Sequence, residues 1–111
     1  MATFTVKIRR QGKTERIERE SLEAALDVLE FELRALSQTE RRGAVTGIGR
    51  DYAPGELVAL RGEVSGRGVR AGVDVRGDGS AQAFTGRVRR QLVTAHGRES
   101  AYDALRRVLM A

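Results

Sequence analysis

LVALRGEVSGRGVRAGVDVRGDGSAQAFTGRVRRQLV, residues 57–93, holds three strand-like runs separated by two turn signals, Gly66-Arg67 and Asp78-Gly79. Short alternating runs divided by such dipeptides predict an antiparallel meander. With Gly66-Arg67 at the first tip, Val64 faces Val69, Gly62 faces Ala71, Leu60 faces Val73 and Val58 faces Val75, giving a continuous apolar or small face. The other face then sets Glu63 opposite Arg70. With Asp78-Gly79 as a two-residue tip, Phe84 faces Val73, Gly86 faces Ala71, Val88 faces Val69 and Arg87 faces Arg70. Gly62, Ala71 and Gly86 would line up as a lane where a helix can approach closely.

Working outward, Phe4, Val6 and Ile8 alternate with Thr5, Lys7 and Arg9, the period of a half-buried strand. Gln11-Gly12 turns it into a hairpin over residues 1–19, with Val6 opposite Ile17 and a short second strand near an edge, because Glu15 and Arg19 share the face of Ile17. Ser21 is an N-cap residue, and Leu22, Leu26, Leu29, Leu33 and Leu36 follow at helical spacing, predicting a helix over 21–36. Ala24, Val28, Phe31 and Ala35 form a second stripe beside the leucines. Residues 37–55, with Gly43, Gly47, Gly49 and Pro54-Gly55, read as a Gly-rich connection with a short strand near Val45–Ile48. A last helix over 100–110 follows from the Ser100/Asp103 capping pair, the apolar set Ala101, Leu105, Val108 and Leu109, and Arg106-Arg107 near its end.

The expected architecture is therefore α+β in one domain over residues 1–111: an N-terminal β-hairpin, a helix, a three-stranded antiparallel meander over 57–93 and a C-terminal helix. One twisted sheet would carry both helices on one face. A chain of 111 residues suits a single core, and 41% hydrophobic with 32% charged residues is too apolar for a disordered tail. No apolar run is long enough for a membrane span and no signal peptide is legible, so the expectation is cytoplasmic with no membrane partner.

Zero Cys removes disulfides and thiolate metal sites, and His96 is the sole histidine, so no metal and no cofactor are expected. His96, beside Gly97, reads as a linker residue and not as a general base. Asp27 and Glu30 read as surface charge on a solvated helix face. Gly47-Ile48-Gly49 lacks the Lys-Ser/Thr of a phosphate loop, and Arg76-Gly77-Asp78 reads as hairpin-turn chemistry. These residues predict no enzyme.

The net charge is +5, and Lys7 and Lys13 are the only lysines among 20 basic residues, leaving 18 arginines. Two readings of that bias stay open: GC-rich coding, or an anion-binding surface built on guanidinium forks. The element order helix, three strands, helix over roughly 21–110 is similar to that of double-stranded RNA-binding domains and of ribosome hibernation factors. The former family carries a Lys cluster at its last helix, where this chain has Arg98-Glu99-Ser100-Ala101-Tyr102-Asp103. The expected function is association, as a homodimer or with a protein partner, through Val28 and Phe31. The alternative is binding of a duplex RNA or DNA backbone through an arginine sheet face of Arg61, Arg70, Arg76, Arg87 and Arg89, without aromatic stacking.

Overall fold

The computed structural model describes residues 3–10, 12–43, 58–86 and 88–111. Strands β1 (Phe4–Arg10) and β2 (Lys13–Arg19) form the N-terminal hairpin, α1 runs Leu22–Gly43, and β3 (Val58–Gly66), β4 (Val69–Arg76), β5 (Ala81–Thr85) and β6 (Gln91–Val93) precede α2 (Ala101–Leu109). Among the described residues the strands form one antiparallel sheet in the order β2-β1-β3-β4-β5-β6. The fold is α+β, with both helices packed on one face of that sheet. α1 lies over β1–β3 and α2 over β4–β6. No described helix is long and apolar enough to cross a membrane.

The hairpin has the expected register, Val6 opposite Ile17, and β2 is an edge strand, though it is as long as β1. In the meander the first tip is Arg67-Gly68 and not Gly66-Arg67. Both central residues have positive φ, 49° and 80°, as a type I′ turn requires, and glycine accepts the second position without strain. The pairing moves by two residues: Val64 faces Ala71, Gly62 faces Val73 and Leu60 faces Val75, with an irregularity between Val58 and Leu60. A slip of two preserves which side chains share a face, so the expected inner face survives while its pairs do not. Glu63 faces Gly72, and Arg70 faces Ser65.

The second tip departs in kind. Gly77, Asp78 and Gly79 form a three-residue loop, closed by Gly79 N–H to Arg76 O (2.9 Å) and Arg76 N–H to Ser80 O (2.8 Å), with Gly79 at φ 90°. This is a turn followed by a glycine bulge, and the Asp78 carboxylate accepts from Ser80 N–H at 2.9 Å. One extra loop residue reverses the faces of β5 relative to the two-residue expectation. Ala83 therefore faces Val73, and Phe84 faces Gly72 on the outer side. The third expected run is also two strands: Gly86, at φ 92° and donating to Arg70 O (2.8 Å), ends β5, and the chain turns back into β6. Val88 is not in the ladder and is 92% exposed.

The core between sheet and helices holds Phe4, Val6, Ile8, Leu60, Val64, Ala71, Val73, Val75 and Ala83 from the sheet, Ala25, Leu26, Leu29 and Leu33 from α1, and Tyr102 and Leu105 from α2. Of the expected small-residue lane, Gly62 keeps its role. A Cβ there would meet the Leu29 and Leu33 side-chain tips, the latter at 2.8 Å, so glycine is what lets α1 seat on β3. Gly86 belongs to the turn instead.

α1 starts as expected, with Ala24 N–H donating to Ser21 Oγ (3.1 Å), but it extends to Gly43, because Ser37 to Arg42 contains no breaker. Residues 37–43 are thus helix and not connection. The expected strand near Val45–Ile48, Gly47-Ile48-Gly49 and Pro54-Gly55 lie outside the described residues. In α2 both arms of the capping box form, Asp103 N–H to Ser100 Oγ at 3.0 Å and Ser100 N–H to Asp103 Oδ2 at 3.3 Å. Its buried residues are Tyr102, Ala104 and Leu105, whereas Val108 of the expected set is 41% exposed.

Candidate functional site

Two surfaces remain once the core is assigned. On α1, the leucine stripe faces the sheet, and one flank faces α2. There Arg106 donates to Glu30 Oε1 (2.6 Å) and Asp27 Oδ1 (2.9 Å), Arg34 donates to Glu30 Oε2 (2.7 Å), and the Arg34 guanidinium lies 4.8 Å from the Tyr102 ring centroid. Asp27 and Glu30 are therefore the rivet between the helices and not merely solvated charge. Partial burial pushes the Glu30 carboxyl up, but the hydrogen bonds and charges of Arg106 and Arg34 outweigh it and hold the group below the usual glutamate range. Burial raises the Tyr102 phenol.

The outward side of α1 carries the second stripe. Ala24 and Val28 are half-buried, Ala35 is exposed, and Phe31 is 72% exposed. Of the two expected association residues, Phe31 is thus open and Val28 partly so. Their spacing, 24-28-31-35, is the 4-3-4 step of a helix–helix seam.

The second surface is the sheet face turned away from the helices. Strand alternation places Lys7 and Arg9 of β1, Arg16 and Glu18 of β2, Arg61, Glu63 and Ser65 of β3, and Arg70, Asp74 and Arg76 of β4 on it. Two cations are matched internally. Arg61 is bidentate on Asp74 (2.6 and 3.0 Å), whose hydrogen bond raises the guanidinium further above its already high value, and Arg9 pairs with Glu63 at 3.2 Å. Lys7, Arg16, Arg70 and Arg76 make no ion pair among the described residues. Phe84 is only 2% exposed here, beneath the Arg90 and Arg61 guanidinium groups at 4.5 and 5.9 Å from its ring centroid. The expected absence of aromatics from this face is therefore overturned by the loop that reversed β5.

Among the expected arginine residues, Arg61, Arg70 and Arg76 share the face, with Arg61 tied to Asp74. Arg89 is exposed in the turn before β6, off the strand ladder, and Arg87 lies outside the described residues. Arg70 has the backbone of Gly86 as its neighbour on the β5 side, and the expected pairing of Arg70 with Arg87 falls outside the described residues. Lys7, Arg16 and Ser65 were not singled out by sequence: the alternation in β1 and β2 contains the first two, but nothing local places β1 beside β3. His96 is exposed and held through its backbone, its N–H donating to Glu99 Oε1 at 2.8 Å. No cluster of three or more metal-ligating side chains occurs among the described residues.

Among the described residues, four strands between the helices, preceded by a hairpin in the same sheet, also depart from the helix, three strands, helix order of double-stranded RNA-binding domains. No protein-family model matches this chain, and no curated protein or solved structure is significantly similar to it.

Proposed function

We propose that this chain acts by association, pairing with a second copy of itself through the outward stripe of α1. The observation that carries the reading is Phe31, 72% exposed in a seam-spaced apolar row while the leucine stripe with Ala25 covers the sheet. A stripe that packs on its own copy must be self-complementary about a two-fold axis. In an antiparallel pairing Val28 sits against the partner helix's Phe31 position and Ala24 against its Ala35 position, so small residues meet at the ends and large ones in the middle. The same pairing brings Asp27 alongside Arg34 of the other copy on both sides of the axis. These two side chains are 64% and 54% exposed, leaving each room for a second partner. A parallel pairing would set Asp27 beside Glu32 instead.

Phe31 has about 140 Å² of side chain to bury, from a full size of about 200 Å², which is worth about 3.5 kcal/mol per copy. The seam is short of a standard interface, so a dissociation constant on the order of 10 µM is expected. Sedimentation velocity across 1–300 µM should show monomer–dimer exchange. Phe31→Ser should be monomeric throughout, Asp27→Arg should weaken pairing, and the double variant Asp27→Arg/Arg34→Asp should recover it. A wild type that stays monomeric at 300 µM, or a Phe31→Ser chain that dimerises equally well, overturns the reading.

A further inference from the structure

The outer sheet face lies on the other side of the molecule from that seam, and its chemistry is different. Seven cations (Lys7, Arg9, Arg16, Arg61, Arg70, Arg76 and Arg90) stand there against three acids (Glu18, Glu63 and Asp74), of which two acids are consumed by Arg9 and Arg61. The helix side is closer to balance: α1 carries Glu23, Asp27, Glu30, Glu32 and Glu40 against Arg34, Arg41 and Arg42, and α2 carries Asp103 against Arg106 and Arg107. The outer sheet face is thus the more cationic side of the molecule.

Within that face a cleft of about 130 Å³ opens between β1 and the ends of β3 and β4, lined by Lys7, Arg9, Glu63, Ser65 and Arg70. It is the size of about four waters at about 30 Å³ each, enough for one tetrahedral anion. With Arg9 held by Glu63, the lining cations that make no ion pair among the described residues are Lys7, which stands opposite Glu63, and Arg70, which stands opposite the half-buried Ser65. Arg16 extends the line, because the register pairs it with Lys7. From β2 across to β4 these positions span about 14 Å at about 4.8 Å per strand. That is several phosphate steps of a nucleic-acid strand, at about 3.4 Å each along a duplex, and too long for one small anion. Phe84 adds no stacking platform of its own, since Arg90 covers it.

We infer that the outer sheet face binds the phosphodiester backbone of a nucleic acid, with Lys7, Arg16 and Arg70 as phosphate contacts and Ser65 as a hydroxyl donor in the cleft. Each contact releases counterions, so the binding falls steeply with salt and is independent of base sequence. The contacts differ from the arginine set legible in sequence: Arg61 is committed to Asp74, and Lys7, Arg16 and Ser65 come from strands that only the fold brings together.

The test is fluorescence anisotropy of the full chain against a duplex DNA, a single-stranded RNA of equal length and phosphatidylserine vesicles, each between 50 and 300 mM salt. It is repeated in the Phe31→Ser chain, so that a failure of dimerisation is not mistaken for a failure of this site. Lys7→Ala, Arg16→Ala and Arg70→Ala should each weaken nucleic-acid binding about 3- to 10-fold and lower the salt slope by about one unit. Arg98→Ala, exposed in the turn before α2 and outside the strands of the outer face, is the control of equal charge and should change affinity less than about twofold. Duplex and single strand responding alike identifies the backbone as the ligand. Binding that vanishes by 150 mM salt, an Arg98→Ala effect as large as that of Arg70→Ala, or vesicle binding without nucleic-acid binding overturns the inference.

Discussion

Replacing Ala83 by glutamate separates the observed β4–β5 register from the one that a two-residue tip would impose. In the structure Ala83 is 0% exposed, opposite Val73 on the inner face, where α2 covers the sheet. Had Asp78-Gly79 been the tip, Ala83 would point to solvent, and the substitution would stay within about 0.5 kcal/mol. Buried, the carboxylate finds no cation on that face of the core and must either ionise unpaired or fold protonated. Either route costs about 4–5 kcal/mol or more, set against a total stability of about 5–15 kcal/mol for a domain. At about 4–8 °C per kcal/mol the melting temperature should fall by about 20 °C or more. Thermal unfolding followed by far-ultraviolet circular dichroism reads this directly. A drop below 5 °C would refute the reversed face of β5, and with it the outward placement of Phe84.

Gly62→Val should destabilise by about 1–3 kcal/mol, because the new side chain enters space held by Leu29 and Leu33, and chemical denaturation would measure it; an unchanged midpoint would mean that α1 does not seat on β3. The helix rivet makes stability depend on acid. The folded pKa of Glu30 lies below the unfolded one, so its contribution is complete above the usual glutamate range and is lost as pH falls through the lowered value. Melting temperature should therefore hold from pH 8 to 5 and decline below about pH 4, and Arg106→Ala should cost about 1–2 kcal/mol at neutral pH while shrinking that acid-dependent loss. Identical acid profiles for Arg106→Ala and the unaltered chain would count against the rivet.

Local patterns were legible wherever one period or one cap decided the outcome. The alternation around Val6 and Ile17 placed the hairpin, the leucines at 22, 26, 29, 33 and 36 placed α1, and Ser100 with Asp103 placed the start of α2. The inner face of β3 and β4 was legible too, since moving the tip by one residue shifts the pairing by two and leaves side-chain parity intact. Parity at the next tip was not. Asp78-Gly79 suits a two-residue turn as well as a three-residue loop with a glycine bulge, and the hydrogen bonds from Arg76 N–H to Ser80 O and from Gly79 N–H to Arg76 O decide between them. Phe84 and Ala83 exchanged faces on that single residue. The cationic site was beyond reach for a different reason: it needs β1 beside β3, a long-range pairing that no neighbouring residues encode. Phe31, by contrast, stood out because its stripe exceeded what one sheet contact requires.

The pairing of α1 with a second copy is tested most directly by a distance, and a chain without cysteine accepts a spin label at one chosen place. Gln38 is exposed on α1, past the end of the seam. In the antiparallel pairing centred between Leu29 and Glu30, two Gln38 positions stand about 25 Å apart along the axis at 1.5 Å per residue and about 9 Å across it, giving a Cα separation of about 27 Å. Double electron–electron resonance on nitroxide-labelled Gln38→Cys at 300 µM should show a distribution centred near that value once the label linkers are included, and Phe31→Ser should abolish it. Absence of dipolar coupling in the Gln38→Cys chain, or a separation near 10 Å as a parallel pair would give, would contradict the account.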